Sequence, residues 1–372
     1  MRDAIVGWDI GGANVKAARL DPDATVGAPR APGASGAVGR IGASGADGGV
    51  PLVRERPFAL WREPARLPEV LSELARELGP ARAAALTMTA ELADCFPSKR
   101  AGVLGVLDAA AGALAPTPIR VYGTDGRFRS LEEARRAPER VAAANWLASA
   151  TWLARSVPDA LLLDVGSTTT DIVPLVGGRV AAQGRTDTER LVAGELVYTG
   201  VLRTTVPALV RRVRLARGPC RVATEHFAIA ADAHLWLERI RPEDYTCDTA
   251  DGRGRSRPET AARLARVVCA DPEDLDEGDL TRIARAVVRA QRRRIADGIR
   301  QVCERLGADA PRVAVVAGSG ARLGAEAARA AGLRVSASTS AWTRDAARAA
   351  PAVAVARLLE AKLSAAEAPT AR

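Results

Sequence analysis

The chain predicts an α/β fold built of two related halves, and three observations carry that expectation. Strand-like and helix-like patterns alternate from end to end, with no all-β or all-α block. A strand–Asp–Gly turn–strand opening begins at residue 5 and recurs at residue 161. A length of 372 residues suits two domains of ordinary size.

The elements follow in order. Residues 4–10 and 15–20 are two short apolar runs joined by Gly11-Gly12-Ala13-Asn14, a hairpin signature. The Gly/Ala/Ser/Pro-rich stretch at about 21–50 has no periodicity and reads as a flexible loop. A strand is expected at 51–60, a helix at 68–78, a buried strand at 82–88, a strand near 118–122 and a helix at about 139–156. The chain then restarts with Leu161–Gly166, a buried strand entering a turn, and Asp171–Leu175, the next strand. A helix is expected at about 187–201. Asp279 is placed as the cap of a long helix that keeps Ile283, Val287, Ile295, Ile299, Val302 and Leu306 in phase and ends at Gly307. Strand 311–317, turn 318–320, helix 321–331, strand 333–337 and a last helix at about 345–364 complete the chain. The expected domains are 1–158 and 159–372, with the final helix a candidate to pack back on the first.

Composition narrows the function. With 48% hydrophobic and 26% charged residues the chain is globular. No apolar run is long enough to span a membrane, and the opening lacks a signal-peptide pattern, so a cytoplasmic protein is expected. Five scattered cysteines form no CxxC pair, which argues against a disulfide framework or a zinc or iron–sulfur site of usual spacing. The net charge of +9 suggests nucleic acid, but 50 of the 53 basic residues are Arg scattered along the chain, and aromatics are only 3%. Arg292-Arg293-Arg294 lies in an amphipathic helical pattern and reads as a solvated face. No nucleic-acid or membrane partner is expected. The few lysines, Lys16 among them, read as held by geometry that Arg does not meet.

Three loops carry chemistry. Asp9-Ile10-Gly11-Gly12-Ala13-Asn14 sets a carboxylate at a strand end before two glycines, whose backbone N–H groups can approach a phosphate. Asp164-Val165-Gly166-Ser167-Thr168-Thr169-Thr170-Asp171 repeats the design with four hydroxyls and a second acid. Gly318-Ser319-Gly320 follows a third strand. A single such loop reads as an ordinary turn; three in this order do not. Together they resemble the actin/Hsp70/sugar-kinase superfamily, which implies two ribonuclease-H-like domains around a central cleft. The segments Thr87–Lys99, Tyr122–Gly126, Gly194–Val201 and Asp244–Gly252 are similar to the hydantoinase/oxoprolinase-related proteins of tetrahydromethanopterin-linked one-carbon metabolism, and among them to those that build the ether of methanofuran.

That resemblance implies a transferase that joins a furanmethyl diphosphate to the phenol oxygen of a glutamyl-tyramine-like acceptor and releases diphosphate, with Mg²⁺ as cofactor and small molecules as its partners. Asp9 and Asp164 are then the metal carboxylates, with Asp171 a third candidate. Gly11, Gly12, Asn14, Gly166, Ser167, Thr168 and Thr169 cradle the diphosphate, and Gly318, Ser319 and Gly320 form the remaining loop. Lys16 or Lys99 supplies a cation, and Glu91 or Asp94 accepts the phenol proton. An ATP-dependent small-molecule kinase or hydantoinase-like amide hydrolase is the alternative, and a nucleotide-sensing regulator the non-enzymatic one. His226, His234 and Cys247, with Asp232, Asp248 and Asp251, are a weaker metal candidate. The two histidines, eight apart, do not share a helix face and read better as structural.

Overall fold

The computed structural model describes residues 4–21, 50–336 and 344–367, so the loop expected at about 21–50 lies almost wholly outside the described residues. The chain divides into two compact units. The first holds the residues up to Pro158, Gly178–Val180 and the C-terminal segment from Ala337; the second holds Asp159–Gly177 and Ala181–Ser336.

In the first unit β1 (Ile5–Gly11) and β2 (Asn14–Leu20) form the expected hairpin, and β3 (Leu52–Pro57) pairs antiparallel with β2. Strand β4 (Ala83–Thr89) lies parallel to β1, followed across the sheet by β5 (Ile119–Tyr122) and β6 (Phe128–Arg129), giving the order β3-β2-β1-β4-β5-β6. Being central and parallel, β4 reads as a continuous buried run without alternation. The helix Leu67–Leu78 buries Leu67, Val70, Leu71, Leu74 and Leu78 along one stripe. Gly7 on β1 lets the terminal helix Ala350–Glu367 approach closely, because a Cβ there would stand 1.9 Å from the Ala352 carbonyl oxygen.

In the second unit β7 (Ala160–Val165) pairs antiparallel with β8 (Thr170–Val176). The two-residue β9 (Arg179–Val180), counted with the first unit, comes next in the chain. The edge strand β10 (Leu196–Val197) lies on β8, and a hairpin of β11 (Arg212–Leu215) and β12 (Gly218–Arg221) stands apart. Strands β13 (Val313–Ala317) and β14 (Arg334–Val335) run parallel to β7, so the order is β10-β8-β7-β13-β14. Each sheet thus places its third, second, first, fourth and fifth strands side by side, the first three antiparallel and the others parallel to the first. The same ribonuclease-H-like sheet occurs twice, and the fold is α/β.

Several elements differ from expectation for local reasons. The helix expected at 139–156 is a 3-10 turn, Pro138–Arg140, and a shorter helix, Asn145–Leu153, because Ala143 takes a left-handed φ of 49° between them. The helix expected at 187–201 stops at Val192, where Gly194 at φ 73° turns the chain into β10. The long helix is Glu277–Leu306 and its cap is Asp276, not Asp279; the Asp276 carboxylate accepts from the Asp279 N–H. A further helix, Lys99–Ala113, capped by Ser98, was not foreseen. The last helical region is two pieces, Arg344–Arg348 and Ala350–Glu367. No helix among the described residues is long and apolar enough to cross a membrane.

Candidate active site

In the first unit Asp9 lies near the end of β1. Its register partners are Lys16 on β2 and Thr87 on β4, and Lys16 is opposite Glu55 on β3, so the four side chains form one row on one face of the sheet. Asp9 and Thr87 are buried. The Thr87 hydroxyl and the Asn14 side-chain oxygen are buried without a hydrogen-bond partner among the described residues. Lys16 is engaged within the unit: its Nζ donates to the Arg348 carbonyl at 2.8 Å and lies 3.8 Å from Glu55. Gly11 and Gly12 make the partly exposed turn between the strands.

The turn after β4 separates the two candidate bases. Glu91 is buried, and the helix Lys99–Ala113 presses on its backbone at Gly102, where a Cβ would stand 2.2 Å from the Glu91 carbonyl oxygen. Asp94 is exposed on that turn, and Lys99 is exposed at the first position of the helix.

In the second unit three segments meet. The half-buried loop Gly166–Thr169 turns tightly, with the Gly166 N–H donating to the Thr169 carbonyl. The N–H groups of Val201, Leu202 and Arg203 donate back to the carbonyls of Gly166 and Ser167. Gly200 lies directly against the loop: a Cβ there would be 2.4 Å from the Thr168 nitrogen and 2.6 Å from the Gly166 oxygen. Gly318, at φ 83°, closes the third side, since its Cβ would be 2.5 Å from Asp164 Oδ1 and 2.3 Å from the Val165 oxygen. Gly320 donates to that same Val165 oxygen, while Ser319 is exposed. The structure therefore brings together Asp164, Gly166, Ser167, Thr168, Thr169, Gly318 and Gly320.

Asp171 stands opposite Asp164 in register but has its own cation. It pairs at 2.8 Å with Arg190, a fully buried guanidinium that also donates to the Glu195 carbonyl. Burial pushes the Asp171 carboxyl above the ordinary carboxylate range, and Arg190 opposes that shift. An ion-paired carboxylate is poorly suited to hold a metal as well. Asp164, with the loop hydroxyls nearby and no Cβ on Gly318 to crowd its Oδ1, fits Mg²⁺, which takes one or two carboxylates and completes its shell with water and phosphate oxygens.

A buried polar chain stands behind this loop. Gln291, on the long helix, donates from Nε2 to the Gly200 carbonyl at 2.7 Å and to Thr199 Oγ1 at 3.0 Å. Its Oε1 is 2.9 Å from His234 Nε2, and Arg239 donates to His234 Nδ1 at 3.3 Å. With Nδ1 accepting, Nε2 carries the proton and donates to Gln291. Burial lowers the His234 pKa to about 4, so the ring is neutral at pH 7. Sequence reasoning missed Arg190, Gly200 and Gln291. Gly200 lies within the family-like segment Gly194–Val201, and Gln291 leaves a trace as a polar residue in phase with the buried Val288 and Ile295.

The remaining family-like segments are structural supports. Asp232 accepts from Arg263 at 2.7 Å and from the Tyr245 hydroxyl at 3.1 Å, all three fully buried, and Arg263 also reaches Asp251. Tyr245 and Cys247 pack with Val201 and Leu202, which ties the 245–254 loop to the back of the phosphate loop. Among the described residues no group of three His, Cys, Asp or Glu side chains could hold a metal, so His226, His234 and Cys247 form no metal centre there. Glu195 is buried and accepts the N–H groups of Gln183 and Gly184 together with the Arg305 guanidinium. Asp125 pairs with Arg129, which lowers its pKa to about 2. Asn145 caps the Trp146 N–H.

Comparison with known proteins agrees with the sequence pattern. The chain is 35% identical over 281 residues to the (4-{4-[2-(gamma-L-glutamylamino)ethyl]phenoxymethyl}furan-2-yl)methanamine synthase of Methanocaldococcus jannaschii, covering 75% of this chain and 76% of that protein. It is 36% identical to the synthase of the same name from Methanococcus vannielii over 40% of this chain and 66% of the relative. Likeness to solved structures is distant. The ethanolamine utilization protein EutJ from Carboxydothermus hydrogenoformans gives a TM-score of 0.46 at 13% identity, covering 96% of this chain and 90% of that one. A ROK family glucokinase from Streptomyces griseus gives 0.40 at 16% identity, covering 95% and 98%. The Hydantoinase/oxoprolinase family matches residues 82–362, and the chain, an enzyme like its named relatives, belongs to that family.

Proposed function

We propose that the chain joins a furanmethyl diphosphate to the phenol oxygen of a glutamyl-tyramine-type acceptor, forming an aryl ether and releasing diphosphate. The observation that carries this reading is the identity, over three quarters of both chains, to a synthase whose name describes a phenoxymethyl-furan ether. The second unit supplies a loop suited to the leaving group.

In this reading the carbon–oxygen bond to diphosphate breaks, the phenol oxygen bonds to the methylene carbon, and the phenol proton leaves to a carboxylate. The backbone N–H groups and hydroxyls of Ser167, Thr168 and Thr169 receive the departing diphosphate, whose charge rises as the bond lengthens. Gly200 and Gly318 keep that loop in place and leave room beside Asp164. Mg²⁺ held by Asp164, when bound, neutralises charge on the diphosphate oxygens. Asp9, with Gly11, Gly12 and Asn14, is the counterpart in the first unit. Glu91 is the better placed proton acceptor of the two candidates, since it is held out of solvent just after β4 while Asp94 is exposed. Lys16 serves by holding the Arg348 carbonyl, which leaves Asp171 and Lys16 as supports for the carboxylates they neighbour.

The test is an assay of the purified protein with Mg²⁺, a furanmethyl diphosphate and a glutamyl-tyramine acceptor, with ATP in a parallel tube. Diphosphate release that needs the acceptor but not ATP, with the ether seen by mass spectrometry, is expected. ATP consumption without ether would overturn the reading in favour of a kinase or amide hydrolase.

A further inference from the structure

The second unit also holds a cavity of about 390 Å³ whose charge has no use in the chemistry above. Arg239, Arg285, Arg289, Arg292 and Arg322 line it against a single carboxylate, Glu326, with Leu237 and Val288 as its apolar surface. Glu326 is already shared, at 2.7 Å from Arg239 and 3.5 Å from Arg322. Arg285, Arg289 and Arg292 are spaced four and three residues apart on the helix Glu277–Leu306 and so share one face. Among the described residues, none of these three forms an ion pair. Like charges at this spacing repel, and among the described residues no carboxylate pairs with these three.

We propose that this cavity binds an elongated acid bearing two or more carboxylates. The row from Arg285 to Arg292 extends roughly 10 Å at 1.5 Å per residue. That is too long for one compact diphosphate to satisfy, and it suits carboxylates separated by a short methylene chain, each engaged by a guanidinium fork. Leu237 and Val288 offer the methylenes an apolar surface. The identity of the acid as a glutamyl chain rests on the proposed function; the existence of the site does not. Arg239 lines the cavity and also donates to His234, at the far end of the chain that holds Gly200, so the cavity and the phosphate loop share one buried network.

The experiment is isothermal titration of the whole protein, at low salt, with γ-glutamyl-glutamate and separately with inorganic diphosphate. The dipeptide should bind. Binding should weaken by about tenfold or more in the Arg285→Gln/Arg289→Gln double variant. It should be unchanged in Arg293→Gln, which alters an exposed neighbour outside the cavity, and in Asp164→Asn, which alters the phosphate loop. The arginine variants alter exposed positions and Asp164→Asn a half-buried one near the end of β7, and their melting curves confirm folding. No dipeptide binding, or binding indifferent to the double variant, overturns the site. Diphosphate binding that is lost in the double variant, with no dipeptide binding, overturns the carboxylate assignment. No turnover is read, so failure of ether formation and failure of this cavity are separate results.

Discussion

Replacing Gly200 by Ala tests the candidate active site through one added methyl group. A Cβ at Gly200 would stand 2.4 Å from the Thr168 nitrogen, 2.5 Å from the Ser167 carbonyl carbon and 2.6 Å from the Gly166 oxygen. All three are backbone atoms, so no flexible side chain can move aside. Ordinary contact begins at 3.4 Å, so the phosphate loop and residue 200 must separate by about 1 Å. Residue 200 is itself held by Gln291, and its neighbour Thr199 accepts from the Thr170 hydroxyl at 2.7 Å, so most of the displacement falls on the loop. Overpacking of this kind costs about 1–3 kcal/mol of stability. A misplacement of about 1 Å in groups that meet the reacting centre costs about 10²-fold in rate. The assay is ether formation, with diphosphate affinity and thermal melting measured on the same preparations. Gly112→Ala is the control: nothing lies within 4 Å of its Cβ inside the helix Lys99–Ala113, and about 0.5–1 kcal/mol of stabilisation is expected. Turnover of Gly200→Ala within about threefold of the parent at equal folded fraction would refute the reasoning, because the loop would then tolerate displacement.

Two further predictions concern the supports of that loop. His234 has an ordinary pKa of 6.5 and a folded value of about 4, so the unfolded chain binds a proton that the folded protein refuses between those values. Stability should therefore fall as pH drops through 6.5 towards 4, by about 3 kcal/mol from this residue, and level off below. Urea unfolding at pH 7 and 4.5 should show a smaller pH dependence for His234→Gln, and identical slopes would sink the assignment. Arg263→Met should destabilise by about 3–5 kcal/mol, because it leaves the buried Asp232 carboxylate without its cation. Adding Asp232→Asn should restore part of that loss, and a double variant less stable than the single one would contradict the pairing.

Much of the architecture was legible because it rests on local chemistry. Alternating runs and glycine turns marked β1, β2, β7 and β8, and the recurrence of strand–Asp–Gly turn–strand anticipated the repeated sheet. The errors occurred where backbone conformation or capping overrode periodicity: at Ala143, with its positive φ, at Gly194, and at Asp276, which took the cap that Asp279 was expected to make.

The candidate site was legible to a different degree. Asp9, Asp164 and the glycines of three loops stood out because glycine turns after strands recur three times in this order, where a single one would read as an ordinary turn. Asp171 looked equivalent to Asp164 in sequence. Only the folded chain sets a buried Arg190 against Asp171, nineteen residues away, and brings Gly318 against Asp164 Oδ1. Glu91 and Asp94 were equal candidates until a helix starting at Lys99 covered one and left the other in solvent. The sequence by itself determined the repeat and the loops, because turn chemistry and strand patterns are local, and its resemblance to known proteins over four segments pointed to the family. Tertiary structure alone decided which acids are paired, which glycines are close approaches, and how Gln291 and His234 come to stand behind the loop. Those depend on contacts between residues distant in the chain, which no local pattern encodes.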